Sequence, residues 1–377
     1  MAEFVRTIEG RTILVVPESS ITSKVPSKVP AFFNPAAKLN RDLSILAYSS
    51  FAASSGKKTF ADSFTGIGAR GLRVAVEVPA IEQVYCNDIN GVAIEAAKEA
   101  ANLNSVTGRC YFSVDEVCRF LVNGDKEGDR YSIVDLDPFG TPARYIDCVL
   151  RSVLDGGLVS ITATDTAVLW GVYPKVCLRR YYGRPLNNVY GNETAIRVLL
   201  SLTALTASRL DLGIYPVFVH ATKHYLRVYA KISVSSSQAN EVYNNMGYVM
   251  HCSQCGHRFN TKECGKGKCE LCSAGLCIGG QLWTGHLHDK EFVKKMLEQD
   301  PDNQCKKVLE AAAEEASEIP YYFRADEISS KLKSNTLPIE RILEKLHAAG
   351  FVASKTALNT SAFKTNARID SVLDVLN

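Results

Sequence analysis

One short motif, Asp135–Gly140 (DLDPFG), combines residue types that suit methylation of a planar amino group. The exocyclic amine of a nucleobase is a poor nucleophile because its lone pair is delocalised into the ring. Asp137 can accept one N–H of such an amine, and the carbonyl of Pro138 can accept the other, since proline keeps its acceptor while lacking a donor. Both contacts would aim the lone pair at a methyl donor, which is mainly a positioning effect. Phe139 offers a face on which a base can stack.

A glycine-rich segment earlier in the chain predicts a site for a cofactor that contains adenosine. Gly66, Gly68 and Gly71 satisfy G-x-G-x-x-G, a pattern that permits a tight strand-to-helix turn and close approach of a ligand to the backbone. Asp88, at the end of the next predicted strand, can accept hydrogen bonds from two ribose hydroxyls. NAD and S-adenosylmethionine both contain adenosine, so these residues do not choose between them.

The carboxylates around the glycines favour S-adenosylmethionine. Asp62 lies just before them, where a carboxylate suits the ammonium of a methionyl group and would repel a pyrophosphate. Asp115 follows the third predicted strand and can accept from an adenine amino group; Glu116 beside it is a further candidate cofactor-binding residue. The alternative is that these acidic residues are helix N-caps or solvated strand ends. For Asp137 the alternative is an Asp-Pro turn followed by a core phenylalanine.

These residues need a scaffold, and the hydrophobic pattern from Lys58 onward supplies one. Strand and helix signals alternate along this part of the chain, which predicts a doubly wound α/β sheet with helices on both faces. Two later strands, YPVFVHAT and YLRVYAKISV, are joined by too few residues for a parallel crossover and must form an antiparallel hairpin. This layout is that of the class I S-adenosylmethionine-dependent methyltransferase fold, by analogy of fold alone.

Cysteine spacing predicts a metal site in the second half of the chain. Six of the twelve cysteines lie between Cys252 and Cys277, and two C-x-x-C pairs among them have the spacing of a zinc ribbon. The predicted ligands of a structural Zn2+ are Cys252, Cys255, Cys269 and Cys272. Four more residues are near enough to leave the ligand assignment open: Cys264, Cys277, His251 and His257. Unligated reduced thiols are the alternative. The other cysteines are predicted to be small buried hydrophobic residues, among them Cys86, Cys110, Cys118, Cys148 and Cys177.

The pattern divides the chain into three predicted parts. Residues 1–57 are an N-terminal lead that completes the active site, with an extended run at Thr12–Val16, a loop over 19–30 and a helix from Asn40 to about Ala53. Residues 58–237 form the catalytic domain, and Ser235–Ser237 is predicted to be a linker. Residues 238–377 form a smaller α+β region with the Cys-rich segment at 250–288. Three helices are predicted in this last part at 302–317, 325–333 and 338–349, and the final two with the chain that follows resemble a winged helix.

Composition excludes several classes of protein. The chain is 46% hydrophobic and 22% charged, which excludes wholesale disorder. No run approaches the ~20 apolar residues of a membrane span, so no membrane contact is expected. The first residues lack the apolar region of a signal peptide, and we expect a cytoplasmic protein.

Charge placement indicates a nucleic-acid partner. The net charge is only +3, but residues 175–231 carry nine basic residues against Glu193 and Asp211. Tyr181, Tyr182 and Tyr190 lie among the basic residues, which is typical of a surface that follows phosphates and stacks bases. The alternative is a solvated face, with Arg197 and Arg209 on the outside of a helix. The nine basic residues are Lys175, Arg179, Arg180, Arg184, Arg197, Arg209, Lys223, Arg227 and Lys231.

The sequence resembles the tRNA (guanine(26)-N(2))-dimethyltransferase family over almost its whole length. The combination of the N-terminal NPxxxxNRD motif with DLDPFG is specific for the resemblance. The residues that carry it are Phe33–Pro35, Asn40–Asp42, Gly66–Arg73 (GIGARGLR), Asn87–Asp88, Asp135–Pro142, Thr162–Asp165 (TATD), Tyr225–Arg227 and Lys364–Ala367 (KTNA).

The resemblance implies a cofactor, a substrate and roles for several residues. S-adenosylmethionine would lie among Arg41, Arg70, Asp88 and Asp115. The substrate would be the exocyclic amine of a guanine at the junction of the D and anticodon stems of tRNA, flipped out of its stack. Phe32 and Phe139 would sandwich that base while Asp137 and Pro138 hold its amine. Two successive transfers would give the dimethyl product, and no obligate protein partner is implied.

Two features depart from the family pattern. Gly66 is an additional glycine where the family often has only the later one, and we expect it to loosen the loop. The four-cysteine cluster is not universal in the family, so it is expected to support the tRNA-binding region and to take no part in the chemistry.

Three rival functions remain open at this point. An adenine or protein-glutamine amino-methyltransferase also places a polar-Pro-aromatic motif after the fourth strand. A non-catalytic zinc-bearing RNA-binding protein could keep a dead cofactor pocket, although Asp62, Asp88 and Asp137 are intact. A nicotinamide dehydrogenase has no use for a Pro-Phe clamp.

Overall fold

A computed structural model of the chain describes residues 3–23, 26–56, 58–124, 129–222, 224–316 and 319–377. The N-terminal lead begins with an antiparallel hairpin and continues into two helices. These elements are β1 (Phe4–Glu9), β2 (Thr12–Pro17), α1 (Ser19–Thr22) and α2 (Lys38–Ser55). The sequence predicted β2 and α2 and missed β1. The loop predicted over 19–30 is wrong where α1 forms, and residues 24–25 of it lie outside the described ranges.

A seven-stranded sheet forms the centre of the molecule. Its strands are β3 (Thr59–Asp62), β4 (Gln83–Asn87), β5 (Cys110–Ser113), β6 (Tyr131–Leu136), β7 (Val153–Ala163), β8 (Leu212–Ala221) and β9 (Leu226–Val234). The spatial order is β5-β4-β3-β6-β7-β9-β8. Neighbours from β5 to β7 are parallel, whereas β9 is antiparallel to both β7 and β8. This topology confirms the class I methyltransferase fold with its terminal antiparallel hairpin.

Helices cover both faces of this sheet. They are α3 (Gly71–Glu77), α4 (Gly91–Leu103), α5 (Val117–Val122), α6 (Ile146–Ser152), α7 (Thr166–Leu169), α8 (Pro174–Tyr181) and α9 (Gly191–Ser208). Side chains of a strand alternate between the faces. Accordingly Phe60 joins the core cluster that contains Leu72 of α3, and Ala61 joins the cluster that contains Val149 of α6. Short 3₁₀ turns occur at Pro35–Ala37, Thr107–Arg109, Ala143–Tyr145 and Val242–Asn245.

The strand order reverses between β3 and β6, which creates a crevice at the carboxyl edge of the sheet. In open α/β sheets ligands bind at such a point, outside the carboxyl ends of the strands. Asp62 ends β3 and is in register with Cys86 of β4 on one side and with Asp135 of β6 on the other. The loops that carry the predicted cofactor and catalytic residues therefore leave the sheet side by side.

The C-terminal region contains a second sheet, with two helices after it. Its elements are α10 (Ser236–Glu241), β10 (Met246–His251), β11 (Arg258–Thr261), β12 (Cys277–Trp283), α11 (Lys290–Leu297) and α12 (Asn303–Glu314). The strands form an antiparallel sheet in the order β11-β10-β12. The linker predicted at Ser235–Ser237 is wrong, because the Ser235 hydroxyl accepts from the Gln238 amide and caps α10. The sequence also missed α11.

The end of the chain has the predicted winged-helix-like form. It comprises β13 (Phe323–Arg324), α13 (Ala325–Leu332), α14 (Ile339–Ala348), β14 (Ala353–Lys355), β15 (Ala362–Thr365) and α15 (Ile369–Leu376). The strands pair in the order β13-β15-β14. The predicted second and third C-terminal helices correspond to α13 and α14, whereas α15 was not predicted.

Buried charges join this winged-helix-like end to the rest of the protein. The ammonium of Lys364, on β15, lies 3.1 Å from a carboxylate oxygen of Glu193 on α9 and 2.7 Å from one of Glu315. All three side chains are fully buried. Glu193 also forms an ion pair with Arg197, and Lys364 is the ammonium that joins the two buried carboxylates. These contacts fix the wing against α9. The KTNA motif therefore contributes to the assembly of the fold.

Two of the scattered cysteines are not the free residues that the sequence predicted. Cys118 of α5 and Cys148 of α6 form a disulfide. Cys86, Cys110 and Cys177 are buried and free, as predicted. Among the helices of the described ranges, none has both the length and the apolar character needed to cross a membrane.

Candidate active site

The glycine turn after β3 is held by Asp62. This buried carboxylate accepts through Oδ2 from the Thr65 hydroxyl and from the Gly71 amide, both at 2.9 Å. Gly66 and Gly68 have φ angles of +55° and +82°, which L side chains rarely adopt. The turn therefore needs glycine at both positions and a hydrogen-bond acceptor at its base.

The protonation of Asp62 is sensitive to its surroundings. Burial is the main influence and, with the nearby Asp135 carboxylate, raises the pKa of Asp62 to about 7, while Arg70 opposes the shift. A cationic ligand group beside Asp62 would favour its ionised form. This environment suits the ammonium that the sequence assigned to Asp62.

Asp88 connects β4 to the glycine turn. Its Oδ2 accepts from the Gly66 amide and its Oδ1 from the Asn90 amide, both at 2.9 Å. The backbone thus fixes both carboxylate oxygens, and each keeps acceptor capacity for a ribose hydroxyl. The extra glycine, Gly66, was expected to loosen the loop; its hydrogen bond to Asp88 instead ties the loop to β4.

The adenine end of the predicted cofactor site contains two acidic and two apolar residues. Asp115 forms an ion pair of 3.2 Å with Arg119, and Glu116 caps α5 by accepting from the amides of residues 118 and 119. Sequence reasoning missed Ile89, two residues after β4, and Val114, directly after β5, which are 76% and 56% exposed. Large apolar side chains so exposed beside polar strand ends could provide the walls of an adenine slot. The exposure of these two side chains identifies them, and no sequence pattern predicts that exposure.

A buried carboxylate, Asp135, organises the catalytic strand β6. Its Oδ1 accepts from the Tyr48 hydroxyl at 2.8 Å, from the Ser160 hydroxyl at 2.7 Å, and from Arg227. Its Oδ2 accepts from Arg70 at 2.7 Å. Burial opposes ionisation of Asp135, but the charges of Arg227 and Arg70 outweigh it and hold the pKa of Asp135 below its usual value.

Arg70 connects this buried network to Asp137. The same Nη1 that donates to Asp135 also donates to Asp137 Oδ2 at 2.7 Å, and Nη2 donates to Asn40 Oδ1 at 3.1 Å. Asp137 is 26% exposed at its side chain, whereas Asp135 is fully buried. Asp137 is thus presented to the crevice, and Asp135 holds the arginine that positions it. The Nε of Arg70 is buried without a hydrogen-bond partner among the described residues. A carboxylate of a bound ligand could accept a hydrogen bond from it.

Phe32 and Phe139 meet at the rim of the site, but they do not form the sandwich that the resemblance implies. Their ring centroids are 4.8 Å apart and the rings are nearly perpendicular, at 85°. A base between two parallel rings needs about 7 Å, two contact distances, between them. Phe139 is exposed, with the ammonium of Lys28 4.3 Å from its ring centroid. Rotation of the Phe139 side chain would therefore be needed before a base could enter.

The N-terminal lead is fixed next to the site through Arg41. Its guanidinium donates to both carboxylate oxygens of Glu9, at 2.6 and 2.5 Å, and to the Asn34 carbonyl at 3.0 Å. Arg41 thereby ties β1 to the segment that carries Phe32, and Asn40 beside it contacts Arg70. The structure thus gives the NPxxxxNRD motif a positioning role between the lead and the catalytic strand.

Four cysteines come together beside the second sheet. The sulfurs of Cys252, Cys255, Cys269 and Cys272 all lie within 4.8 Å of one another. Two of the separations are 3.4 Å and 3.5 Å, close to the ~3.8 Å expected between thiolates around a tetrahedral zinc with Zn–S bonds of ~2.3 Å. Cys264 and Cys277 are exposed and do not belong to the cluster. The donor set and its geometry therefore fit the predicted structural zinc.

The predicted basic surface is smaller than the sequence suggested. Arg197 and Arg227 are buried in ion pairs with Glu193 and Asp135, so the prediction of a surface role is wrong for both. The alternative that placed Arg197 on the outside of a helix is equally wrong. Lys223 lies outside the described residues. The exposed basic residues of the stretch are Lys175, Arg179, Arg180, Arg184 and Arg209.

Helix α8 carries three of these exposed cations and is attached to the catalytic loop. Tyr181 at its end is buried and donates to Asp165 at 2.6 Å, while the Thr141 hydroxyl donates to Tyr181 at 2.8 Å. The Gly140 amide donates to the Thr164 hydroxyl at 2.6 Å. Tyr173 and Tyr182, on either side of the helix, are exposed, whereas Tyr181 and Tyr190 are core residues. The DLDPFGTP and TATD motifs thus place a basic, aromatic surface next to Asp137.

Comparison with known proteins agrees with this geometry. A family model described as N2,N2-dimethylguanosine tRNA methyltransferase matches residues 10–377. The chain belongs to this family. The family that the sequence motifs indicated is thereby confirmed.

Relatives within the N2,N2-dimethylguanosine tRNA methyltransferase family align over nearly the full chain. The tRNA (guanine(26)-N(2))-dimethyltransferase of Methanothermobacter thermautotrophicus is 33% identical over 377 residues, which cover 98% of this chain and 97% of the relative. The tRNA (guanine(26)-N(2)/guanine(27)-N(2))-dimethyltransferase of Aquifex aeolicus is 32% identical and covers 97% and 94%. The solved structure of Trm1 from Pyrococcus horikoshii in complex with S-adenosyl-L-methionine matches with a TM-score of 0.85 at 27% identity, over 98% of this chain and 99% of that one.

Proposed function

We propose that this chain transfers one or two methyl groups from S-adenosyl-L-methionine to the exocyclic N2 amine of guanine 26 in tRNA. The observation that carries the proposal is the pair of contacts from Arg70, which holds Asp137 at the crevice edge while anchoring in buried Asp135. An acceptor fixed in this way, beside the glycine turn, is what positioning of a weakly nucleophilic amine requires. Membership of the family, whose description names this modification, supports the choice of substrate.

The cofactor would be held by residues at the ends of β3, β4 and β5. Asp62 would face its ammonium, Asp88 its ribose hydroxyls and Asp115 its adenine amino group, with Glu116 in the same loop. Gly66 and Gly68 allow its close approach to the backbone. Arg70 offers its free Nε to the cofactor carboxylate, and Arg41 contributes by holding the lead in place. S-adenosylmethionine supplies an electrophilic methyl group on its sulfonium.

In the proposed reaction, Asp137 and Pro138 orient the amine and Phe139 stacks on the guanine. The Asp137 carboxylate accepts one N–H and the Pro138 carbonyl the other, so the nitrogen lone pair points towards the methyl group. As the N–C bond forms and the C–S bond breaks, the nitrogen loses a proton to Asp137, which returns it to solvent. The monomethyl product retains a single N–H, so a second transfer must proceed with one of the two acceptor contacts.

The surface of α8 would bind the tRNA, and the zinc site would keep the tRNA-binding region of the protein folded. The exposed cations of α8 and the aromatic side chains of Tyr173 and Tyr182 would contact the tRNA next to the target base. Zinc held by Cys252, Cys255, Cys269 and Cys272 would be structural, because four thiolates leave no open coordination position. The three parts proposed are the lead 1–57, the catalytic domain 58–237 and the tRNA-binding region 238–377. A tRNA substrate would place the activity in the cytoplasm.

The proposed function is tested by transfer of labelled methyl groups to two tRNA transcripts that differ only in having guanine or adenine at position 26. We expect label on the guanine transcript alone, and N2-methylated guanosine in its nucleoside digest. Equal label on both transcripts would move the target to another nucleotide. Absence of label on either, with S-adenosylhomocysteine shown to bind, would favour an adenine or protein-glutamine amino-methyltransferase.

A further inference from the structure

A cleft of about 540 Å³ lies in the C-terminal region, between the second sheet and the winged-helix-like end. Its walls come from β11, from the loop of the second cysteine pair, from residues 319–323 and from the start of α15. The volume lies in the range of ~300–1,000 Å³ that is usual for small-ligand sites. None of its lining residues belongs to the catalytic or cofactor site described above.

Arg258 lines this cleft with unused hydrogen-bond donors. Its side chain is only 2% exposed and lies between two aromatic rings, 4.6 Å from the centroid of Tyr190 and 4.0 Å from that of Phe323. One nitrogen, Nη2, donates to Glu327 at 2.9 Å. Nε and Nη1 are buried and have no acceptor within the described part of the chain. A buried donor without a partner is costly, and an oxygen of a bound ligand would relieve that cost.

One further cation of the cleft, Lys268, favours an anionic ligand. Lys268 is exposed and forms no ion pair with any described residue. Arg368 is half-exposed and shares Glu270 as a partner with His257. Arg368 also forms an ion pair with Asp370 at 2.6 Å, and Arg258 forms one with Glu327. The attraction for an anion therefore comes from the exposed ammonium of Lys268 and from the free donors of Arg258.

An exposed aromatic side chain completes the cleft. Phe259 is 37% exposed, and its ring centroid lies 5.2 Å from that of His257. An exposed phenylalanine beside basic side chains is typical of sites where an unpaired base stacks while its phosphate contacts Lys or Arg. An acidic peptide would use the cations but would not require the ring.

We propose that this cleft binds one unpaired nucleotide of the tRNA, distinct from the methylated guanine, with its base on Phe259 and its phosphate near Lys268 and Arg258. The inference rests on the proposed function, because it takes tRNA as the partner. It assigns to the zinc-bearing region a direct contact with the RNA in addition to its structural role. The enzyme would then recognise the tRNA body at a second point.

Binding of full-length tRNA by charge and stacking variants tests this assignment. Phe259→Ala and Lys268→Glu should each raise the Kd for tRNA about tenfold, the loss expected for one stacked base or one reversed phosphate contact. Lys268→Glu should also reduce the slope of log K against log salt by about one. The matched control is Lys266→Glu, which makes the same charge change two residues away, outside the cleft, and should alter Kd less than about twofold. Phe259→Tyr keeps a stacking ring and should bind as the wild type does.

A second measurement on the unaltered protein covers the case in which a variant misfolds. Irradiation of the wild-type enzyme with tRNA that contains 4-thiouridine, followed by peptide mapping, should give a crosslink at 257–270 or 365–369. Crosslinks restricted to α8 and the catalytic loop, or equal Kd values for Lys268→Glu and Lys266→Glu, would overturn the cleft assignment. If the wild type still methylates guanine 26, only the cleft proposal fails; if it does not methylate any tRNA, the proposed function fails. Binding of acidic peptides in competition with tRNA would also overturn the assignment in favour of a protein partner.

Discussion

Replacing Asp137 with asparagine removes the proposed catalytic acceptor charge and leaves the fold intact. The side chain is partly exposed, so its ion pair with Arg70 contributes at most about 1 kcal/mol to stability. Arg70 would keep its 2.7 Å contact with Asp135 and its 3.1 Å contact with Asn40. The variant should therefore unfold at nearly the same temperature as the wild type.

The expected loss of activity follows from what Asp137 does in the reaction. A hydrogen bond to a charged acceptor is worth about 1.5–3 kcal/mol, which corresponds to roughly 10- to 160-fold in rate. Proton transfer to a positioned base typically contributes about 10²–10⁴-fold to the rate. We expect kcat for Asp137→Asn to fall by about 10²–10⁴, while KM for tRNA changes less than about threefold, since an interaction used mainly in the transition state is lost.

Steady-state transfer of labelled methyl groups, with tRNA titrated, measures kcat and KM. The contrasting variant is Asp135→Asn, two residues away and fully buried. It breaks contacts with both Arg70 and Arg227 and should cost about 3–5 kcal/mol in unfolding free energy. If Asp137→Asn kept more than about a tenth of kcat, or lost activity entirely through KM, Asp137 would not be the amine acceptor.

Three further predictions concern the cofactor, the metal and the buried charges. Raising the pH from about 6 to about 8 should strengthen binding of S-adenosylmethionine about tenfold, because the Asp62 pKa of about 7 leaves that carboxyl mostly protonated, and unable to attract an ammonium, at the lower pH. Calorimetry of Asp62→Asn should show no such dependence, and an equally steep profile would contradict the assignment. Chelation of zinc should make the segment 246–283 sensitive to protease and weaken tRNA binding, and restored zinc should reverse both; unchanged protease resistance would count against a structural metal. Lys364→Met should cost about 3–5 kcal/mol in thermal or urea unfolding because Glu193 and Glu315 lose a buried counter-ion. By comparison, Lys355→Met, which breaks a solvent-screened pair with Glu340, should leave the unfolding transition nearly unchanged, and similar losses of stability for both variants would refute a role for burial.

The motifs of the sequence located the crevice because each follows a strand. Polar residues at the ends of parallel strands must meet at one edge of the sheet, so the proximity of Asp62, Asp88 and Asp137 followed from the alternation of strand and helix alone. Which of the two carboxylates in DLD faces the ligand did not follow from periodicity. Asp135 is buried because Arg70 and Arg227 lie next to it, and those partners are 65 and 92 positions away in sequence.

Contacts between residues far apart in sequence also explain the wrong predictions for two arginines and two cysteines. Arginine is mostly exposed in proteins, so Arg197 and Arg227 were assigned to a surface, although each is neutralised in the core by a carboxylate. Cys118 and Cys148 gave no signal of their pairing, since connectivity cannot be deduced from spacing. The four zinc-ribbon cysteines could be identified because both pairs are local.

Tertiary packing explains three elements that the sequence did not predict correctly: β1, the start of α10 and the position of α8. β1 has an irregular burial pattern without strict alternation. It forms because β2 pairs with it and because Glu9 holds Arg41 and Arg73. The serines at Ser235–Ser237 carry the composition of a linker, yet one of them caps a helix. The role of α8 next to the catalytic loop depends on Tyr181, which the sequence placed on a surface.

The most direct test of the central claim is methyl transfer to tRNA that carries inosine in place of guanosine at position 26. Hypoxanthine keeps the ring, the stacking face and the carbonyl of guanine and lacks only the exocyclic amine. We expect the inosine tRNA to bind with nearly the Kd of the guanosine tRNA and to accept no methyl group, while the guanosine tRNA yields N2-methylated and N2,N2-dimethylated guanosine. Methylation of the inosine tRNA at position 26 would show that another atom is the nucleophile and would contradict the role given to Asp137 and Pro138.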